Sequence, residues 1–306
     1  MASRTRSLAS RLLVALALVG GAGAAPAVLI GAAQDDRYQA PPTTSFPWAH
    51  TGARGDFSAV YLGHRWVLTA AHVGAAPVVL SGRRFLPLPG SAQSMRNSDG
   101  SLSDLLAFRI DGDPGLGLLP IGRERPATGT HLILVGNGHD RGPPTTWRPP
   151  GQPPIAGWER AEGRRLRWGT NRLEPSPEQI DLDGLRTRVL SMTFDPPEAP
   201  GATPGESQAV RGDSGGGVFL EVDGEFVLVG IIIVRGDFPE QPPATALHGN
   251  HTYAADLSAY RDQLVALTRP DCADERDNDD DGSVDFPADA DCLGAEQDSE
   301  RPPASP

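Results

Sequence analysis

The sequence predicts an all-β domain, and three observations carry that expectation. Between residues 55 and 265, short apolar runs alternate with clusters of Gly, Pro, Asp and Asn, the pattern of a sandwich or barrel built from short strands. Only one segment places apolar residues at helical spacing. The chain of 306 residues suffices for one large β domain of roughly 200–250 residues with extensions.

The expected strands follow in order. They include Ala59–Leu62, Trp66–Ala71, Pro77–Leu80, Leu105–Ile110, His131–Val135, Gly217–Val222 and Phe226–Val234. Their side chains are mostly apolar, as in strands that enter a core. The helical segment is Asp256–Thr268, with Leu257, Tyr260, Leu264, Val265 and Leu267 on its apolar positions. Asp256 is its N-cap, and Pro270 stops it. Residues 141–157 hold six prolines and residues 195–205 hold four. Proline has no N–H for a ladder and fixes φ, so both stretches read as surface loops. The RWGTN segment at 167–171 has no mechanistic assignment, and Trp168 reads as a core or loop-packing residue.

The two ends differ from this middle. Arg4, Arg6 and Arg11 precede an eight-residue apolar run, Leu12–Val19, which small residues follow. A basic start, a short apolar stretch and small residues make a secretory signal peptide. It is expected to occupy residues 1–25, and cleavage after Ala24, Ala25 or Ala33 suits its small residues. The run is short for a bilayer span, and no lipid-attachment cysteine follows it. The protein is therefore expected outside the cytoplasm, extracellular or periplasmic, without a membrane span. The chain contains no lysine, which suggests a GC-rich bacterial coding sequence.

Residues 269–306 form an acidic tail. From Asp271 to Arg301 thirteen carboxylates face two arginines, which accounts for nearly all of the formal charge of −12. The remaining chain is close to neutral and lacks a basic stripe, so nucleic acid is not an expected partner. Within the tail Asp277, Asp279, Asp281 and Asp285 alternate around Gly282, the way a short loop wraps hard Ca²⁺. Ala288 stands where an EF-hand needs its bidentate glutamate. The segment instead resembles thrombospondin type 3-like calcium repeats, with Asp289 and Asp291 completing the shell. Cys272 and Cys292 would close it by a disulfide in an oxidising compartment, contributing ~3 kcal/mol in a chain-entropy account. The other reading is an acidic, solubilising segment.

The chemistry sits in two motifs. Residues 212–217 read Gly-Asp-Ser-Gly-Gly-Gly, and Trp66-Val-Leu-Thr-Ala-Ala-His72 lies far upstream. Serine needs a positioned base to become a nucleophile. Glycines around it let backbone N–H groups aim at the oxyanion that forms on attack. An acid should hold the histidine in one tautomer. Asp104 opens the apolar run after Ser103, whereas Asp99, Asp111 and Asp113 lie among turn residues. The order His72, Asp104, Ser214 excludes the subtilisin and α/β-hydrolase arrangements.

With WVLTAAH, SDLLAFRI, GDSGGG, FPW at 46–48, LILVGNG at 132–138 and FVLVGIII at 226–233, residues 30–268 resemble the chymotrypsin/trypsin-type serine peptidases. The resemblance implies two six-stranded antiparallel β-barrels with the active site between them and a closing C-terminal helix. It implies His72 as general base, Asp104 as its orienting acid, Ser214 as nucleophile, and the N–H groups of Gly212 and Ser214 as oxyanion hole. No cofactor is needed for that chemistry. The substrate pocket would involve Gln208, Val234 and Arg235, the last two on an edge that pairs with substrate. Arg235 either meets an acidic side chain there or is simply a solvated loop residue. Gln208 replaces the aspartate of trypsins, which speaks against a preference for Arg or Lys. Val73 and Val210 replace cysteines of many relatives, so this domain has no disulfide. A cut before Ile30 would free an ammonium to pair with Asp213. The expected function is a secreted, monomeric serine endopeptidase acting on protein or peptide substrates. An esterase would share this mechanism, and a non-catalytic protease-like binding or adhesion module is the alternative.

Overall fold

The computed structural model describes residues 28–31, 36–175, 177–277 and 281–297; the expected leader lies outside them. The short alternating runs form nineteen strands. After β1 (Leu29–Ile30), the first half holds β2 (Thr51–Arg54), β3 (Phe57–Gly63), β4 (Trp66–Thr69), β5 (Val78–Leu80), β6 (Arg83–Phe85), β7 (Gln93–Arg96) and β8 (Leu102–Arg109). The second half begins with β9 (His131–Gly136), β10 (His139–Trp147), β11 (Ile155–Arg164), β12 (Arg167–Glu174), β13 (Gln179–Leu182) and β14 (Leu185–Thr193). It continues with β15 (Ser207–Gln208), β16 (Gly217–Val222), β17 (Glu225–Gly236), β18 (Thr245–Leu247) and β19 (His251–Asp256), and α1 (Arg261–Leu267) follows.

The first sheet runs β6-β5-β2-β3-β4-β8-β7. A bridge from Pro87 to Ile110 joins the ends of β6 and β8 and curls six of these strands into a ring. The second sheet closes on itself through β12-β9-β16-β17-β19-β14 and back to β12, with β13 appended to β14. These are the two antiparallel barrels that the resemblance implies, each carrying one extra strand. A single apolar cluster crosses between them. It joins Val60, Leu68 and Leu105 of the first barrel to Val135, Phe219 and Ile231 of the second. Burial of this seam holds the barrels in one arrangement.

Two expectations change. The proline-rich stretch 141–157 is only partly loop, because β10 and β11 pair as a long hairpin and join β18 in a separate three-stranded sheet. Pro143 and Pro144 lie on its edge strand, at a register shift between Arg141 and Pro144, where a missing N–H costs no ladder bond. Residues 195–205 form the expected loop. The helix is shorter than its periodicity suggests. Asp256 does cap, accepting from the Ser258 N–H, but a 3₁₀ turn at Leu257–Ala259 precedes α1. Trp168 packs a loop, bonding the Ala40 carbonyl at 2.7 Å beside the Tyr38 ring.

The Cys272–Cys292 disulfide is formed, and the tail is fastened to the first barrel. Buried Asp271 accepts from Arg109 through both oxygens, at 2.8 and 2.9 Å, and from Arg65 at 3.1 Å. Removing a carboxylate from such a fork leaves cations without their partner. Asp271→Ala is expected to cost about 2 kcal/mol, read as a lower denaturant midpoint with unchanged slope. An unchanged midpoint would show that this attachment contributes nothing.

Candidate active site

The first barrel supplies two of the expected residues. β4 ends in a 3₁₀ turn, Ala71–Val73, that carries His72. Asp104 lies near the start of β8, fully buried, with its N–H held by Thr187 Oγ1 at 2.8 Å. Its two carboxylate oxygens grip His72 at two points. One accepts the His72 backbone N–H at 2.8 Å, and the other lies 2.7 Å from the ring Nδ1. A carboxylate there fixes the proton on Nδ1 and leaves Nε2 as a base facing the cleft.

The second barrel supplies Ser214, in the loop between β15 and β16. His72, Gly212 and Ser214 line one cavity of about 240 Å³, together with Val234 and Arg235. The serine hydroxyl points at the Ile233 carbonyl, 3.4 Å away. Among the described residues no acceptor takes the N–H of Gly212 or Ser214. Two backbone donors are thus left beside the hydroxyl. Gly212 and Gly215 adopt φ of +105° and +88°, which glycine reaches without penalty. A Cβ on Gly215 would strike the Ser58 carbonyl.

Ser58, which the motifs did not single out, ties the barrels together at this loop. Its N–H donates to the Ser214 carbonyl and its hydroxyl to the Gly212 carbonyl, both at 2.9 Å. The same hydroxyl accepts from Asn137 N–H at 2.8 Å. A serine inside a strand gives no sequence signal for such a clamp. The Asn137 contact lies within the Gly-Asn-Gly turn that the sequence did mark.

Asp213 is fully buried, and burial pushes its carboxyl up to about 7. Val210 and Gly138 donate to it at 2.7 and 2.8 Å, and the Val28 amide also bonds it. Gly136 and Gly138 are required here, since a Cβ on either would run into the carboxyl. The backbone nitrogen that meets Asp213 is not that of Ile30. Ile30 pairs with Ser207 in a two-residue ladder, and its carbonyl accepts from Arg141 at 2.8 Å. The backbone nitrogen at Asp213 belongs to Val28, two residues earlier.

The expected substrate pocket is corrected at Gln208. It is fully buried in β15, paired with Leu29, and does not line the cavity. Val234 and Arg235 do line it. Beyond Ile231, β17 leaves β16 and pairs only with β19, so Val234–Gly236 offer one open strand edge. The tail aspartates take the following places. Asp277 caps the loop, accepting from the Asp281 and Gly282 N–H groups, and Asp285 accepts from Asp274 and Glu275. Asp279 lies outside the described residues. The carboxylates that converge are Asp281, Asp289 and Asp291, with ligand atoms within 4.8 Å of one another. Of the described alternating aspartates, Asp281 joins this cluster, together with Asp289 and Asp291, which were expected to complete the shell.

No family model and no curated protein matches the sequence. Solved structures of chymotrypsin-like serine proteases do align with the coordinates. Mouse neuropsin, a serine protease, is 18% identical with a TM-score of 0.48, covering 74% of this chain and 96% of its own. Kallikrein-related peptidase 10 is 14% identical with a TM-score of 0.46, covering 73% and 97%. The inactive form of the Rv3671c protease of M. tuberculosis is 14% identical with a TM-score of 0.44, covering 79% and 98%. Among the described residues no helix is long and apolar enough to cross a membrane.

The raised carboxyl of Asp213 sets a pH dependence. With Val28 still in amide linkage, the folded chain holds a proton up to about pH 7, whereas the unfolded chain releases it near pH ~4. Stability from this group is full below the unfolded value and is lost as pH rises through about 7. The uncut chain is expected to lose stability relative to Asp213→Asn between pH ~4 and ~7, measured by denaturant titration. Parallel curves would show that Asp213 is not protonated in the fold.

Proposed function

We propose that this chain is a secreted serine endopeptidase that cleaves peptide bonds through an acyl-enzyme. The grip of Asp104 on both the backbone and the ring of His72, in a cavity shared with Ser214, carries this reading. In it the Ser214 hydroxyl turns from the Ile233 carbonyl to His72 Nε2, since catalytic hydrogen bonds often form only in the complex with substrate. Oγ attacks the substrate carbonyl as Nε2 takes its proton, and the N–H groups of Gly212 and Ser214 receive the oxyanion. His72 then returns the proton to the leaving amine. Water repeats the cycle on the ester and restores the serine.

Secretion belongs to the same reading. Ala25-Pro26-Ala27 precedes Val28 in the small-x-small frame of leader removal. Cutting there replaces the Val28 amide at Asp213 with an ammonium. That ammonium pairs with the carboxylate and stabilises its charged form.

Fluorophosphonate labelling tests the assignment. The chain beginning at Val28 is expected to label at Ser214, faster than one extended by several residues. Ser214→Ala should not label, and Asp104→Asn should lower turnover by about 10⁴-fold. A folded chain beginning at Val28 that fails to label would move the assignment to the non-catalytic binding module.

Calcium in the tail is a further part of the proposal, supported by the convergence of Asp281, Asp289 and Asp291 beside the disulfide. Oxygen ligands of this kind suit a hard cation. Adding Ca²⁺ should slow proteolysis of the tail, and Asp289→Asn should abolish that protection. Equal digestion with calcium and with chelator would leave only the solubilising role.

A further inference from the structure

The cavity beside Ser214 carries an unbalanced charge. Arg211 and Arg235 both line it. The Arg235 guanidinium is 2.6 Å from Asp237 and donates to the Thr245 carbonyl at 3.0 Å. Thr245 starts β18, and the preceding carbonyl, that of Ala244, accepts the Arg160 N–H at 2.7 Å. The Arg160 backbone N–H and the Arg235 guanidinium thus bond adjacent carbonyls of one segment. The Arg160 Nε is buried without a hydrogen-bond partner, and its side chain makes no ion pair among the described residues. The Arg211 side chain likewise has no ion pair or hydrogen bond there. Burial first, and then the charge of Arg235, pushes the Arg160 pKa down; Asp237 opposes this and Arg211 adds to it. Among the described residues one carboxylate, Asp237, thus stands against two partly buried guanidinium groups, with the exposed Arg211 at the cavity rim.

Arg160 and Arg235 are partly buried whereas Arg211 is exposed, and partly buried cations normally find an anion, since an uncompensated charge away from water is costly. Asp237 satisfies Arg235 and leaves the group net positive. A second carboxylate, arriving with the substrate, would balance it. Val234–Gly236 supply the open edge along which an extended peptide pairs. A side chain of the residue that donates its carbonyl to Ser214 would then enter the cavity that Arg235 and Arg211 line.

We propose that the site selects peptides with an acidic residue, glutamate or aspartate, at the position whose carbonyl Ser214 attacks. This rests on the peptidase reading above and names the substrate class of that site. Arg235 binds the incoming carboxylate, sharing its donors between the substrate and Asp237. Arg160 and Arg211 supply the surrounding field. The neutral amide isostere takes up the same space but brings no charge, so it leaves the cluster unbalanced.

Matched fluorogenic peptides that differ only in Glu, Gln, Ala, Leu or Arg at that position test this on the chain beginning at Val28. Glu is expected to exceed Gln in kcat/KM by about tenfold or more, with a ratio that shrinks as salt rises. Arg235→Gln and Arg160→Gln should bring Glu and Gln together, and Asp237→Asn should widen the gap by freeing Arg235. Fluorophosphonate labelling of each variant shows whether it still folds and still activates Ser214. Labelled enzyme that cleaves Gln, Ala, Leu or Arg peptides as well as Glu overturns the acidic preference and leaves the peptidase reading standing. Enzyme that neither labels nor cleaves overturns the peptidase reading, and the preference falls with it.

Discussion

The arrangement depends on one buried carboxyl. Asp213 sits where no water reaches it, held by the amides of Val28, Gly138 and Val210. An acid in such a place must be either protonated or matched by a cation. Its position fixes the loop on which Ser214 follows, because Gly136 and Gly138 approach so closely that no other residue type fits. The N-terminal segment is fixed by the same group. β1 reaches across to β15, and the Gly31 N–H bonds the Glu206 carbonyl at 2.7 Å. The state of residue 28 is therefore coupled to the geometry of the nucleophile loop through a single side chain.

The second requirement is that two barrels meet in one register. Asp104 and His72 come from the first and Ser214 from the second, so their mutual placement is a property of the seam. The apolar cluster supplies most of the cohesion, but apolar contact is non-directional. Ser58 adds direction. It bonds the carbonyls of Gly212 and Ser214, and Thr69 in turn bonds the Ser58 carbonyl at 2.9 Å. A buried, saturated hydrogen-bond network of this kind specifies one alignment among several that would bury similar area.

Much of this was legible in the chain. Apolar runs between turn clusters marked the strands, and the candidate residues stood out because each motif confines a reactive group between small or apolar neighbours. What was not legible depends on tertiary context. Pro143 and Pro144 argued against a strand, yet an edge position with a register shift tolerates them. Gln208 looked like a pocket residue by its distance along the chain from Ser214, but strand pairing with Leu29 withdraws it. In the tail, Asp277 and Asp285 accept backbone N–H groups of their own loop, contacts that their spacing did not mark. Aspartate serves loop capping and metal binding equally well, so spacing alone does not divide the roles.

A domain of this architecture without an internal disulfide needs other crosslinks, and arginine supplies several. The chain has no lysine, so every basic side chain other than histidine is a planar fork with five donors. Arg125 joins the Val189 carbonyl of β14 to Asp256 at the end of β19, at 2.8 and 2.7 Å. Arg141 lies over the Trp158 ring at 4.0 Å and holds the Ile30 carbonyl, tying β10 and β11 to the N-terminal segment. Arg109 fastens the acidic tail to the first barrel. An ammonium would satisfy one acceptor with a point charge, but each of these sites asks for two contacts in fixed directions or for stacking on a ring. The same preference gathers Arg211 and Arg235 at the cavity, where among the described residues Asp237 is the carboxylate paired with Arg235. In the peptidase reading, that is where a substrate side chain would arrive.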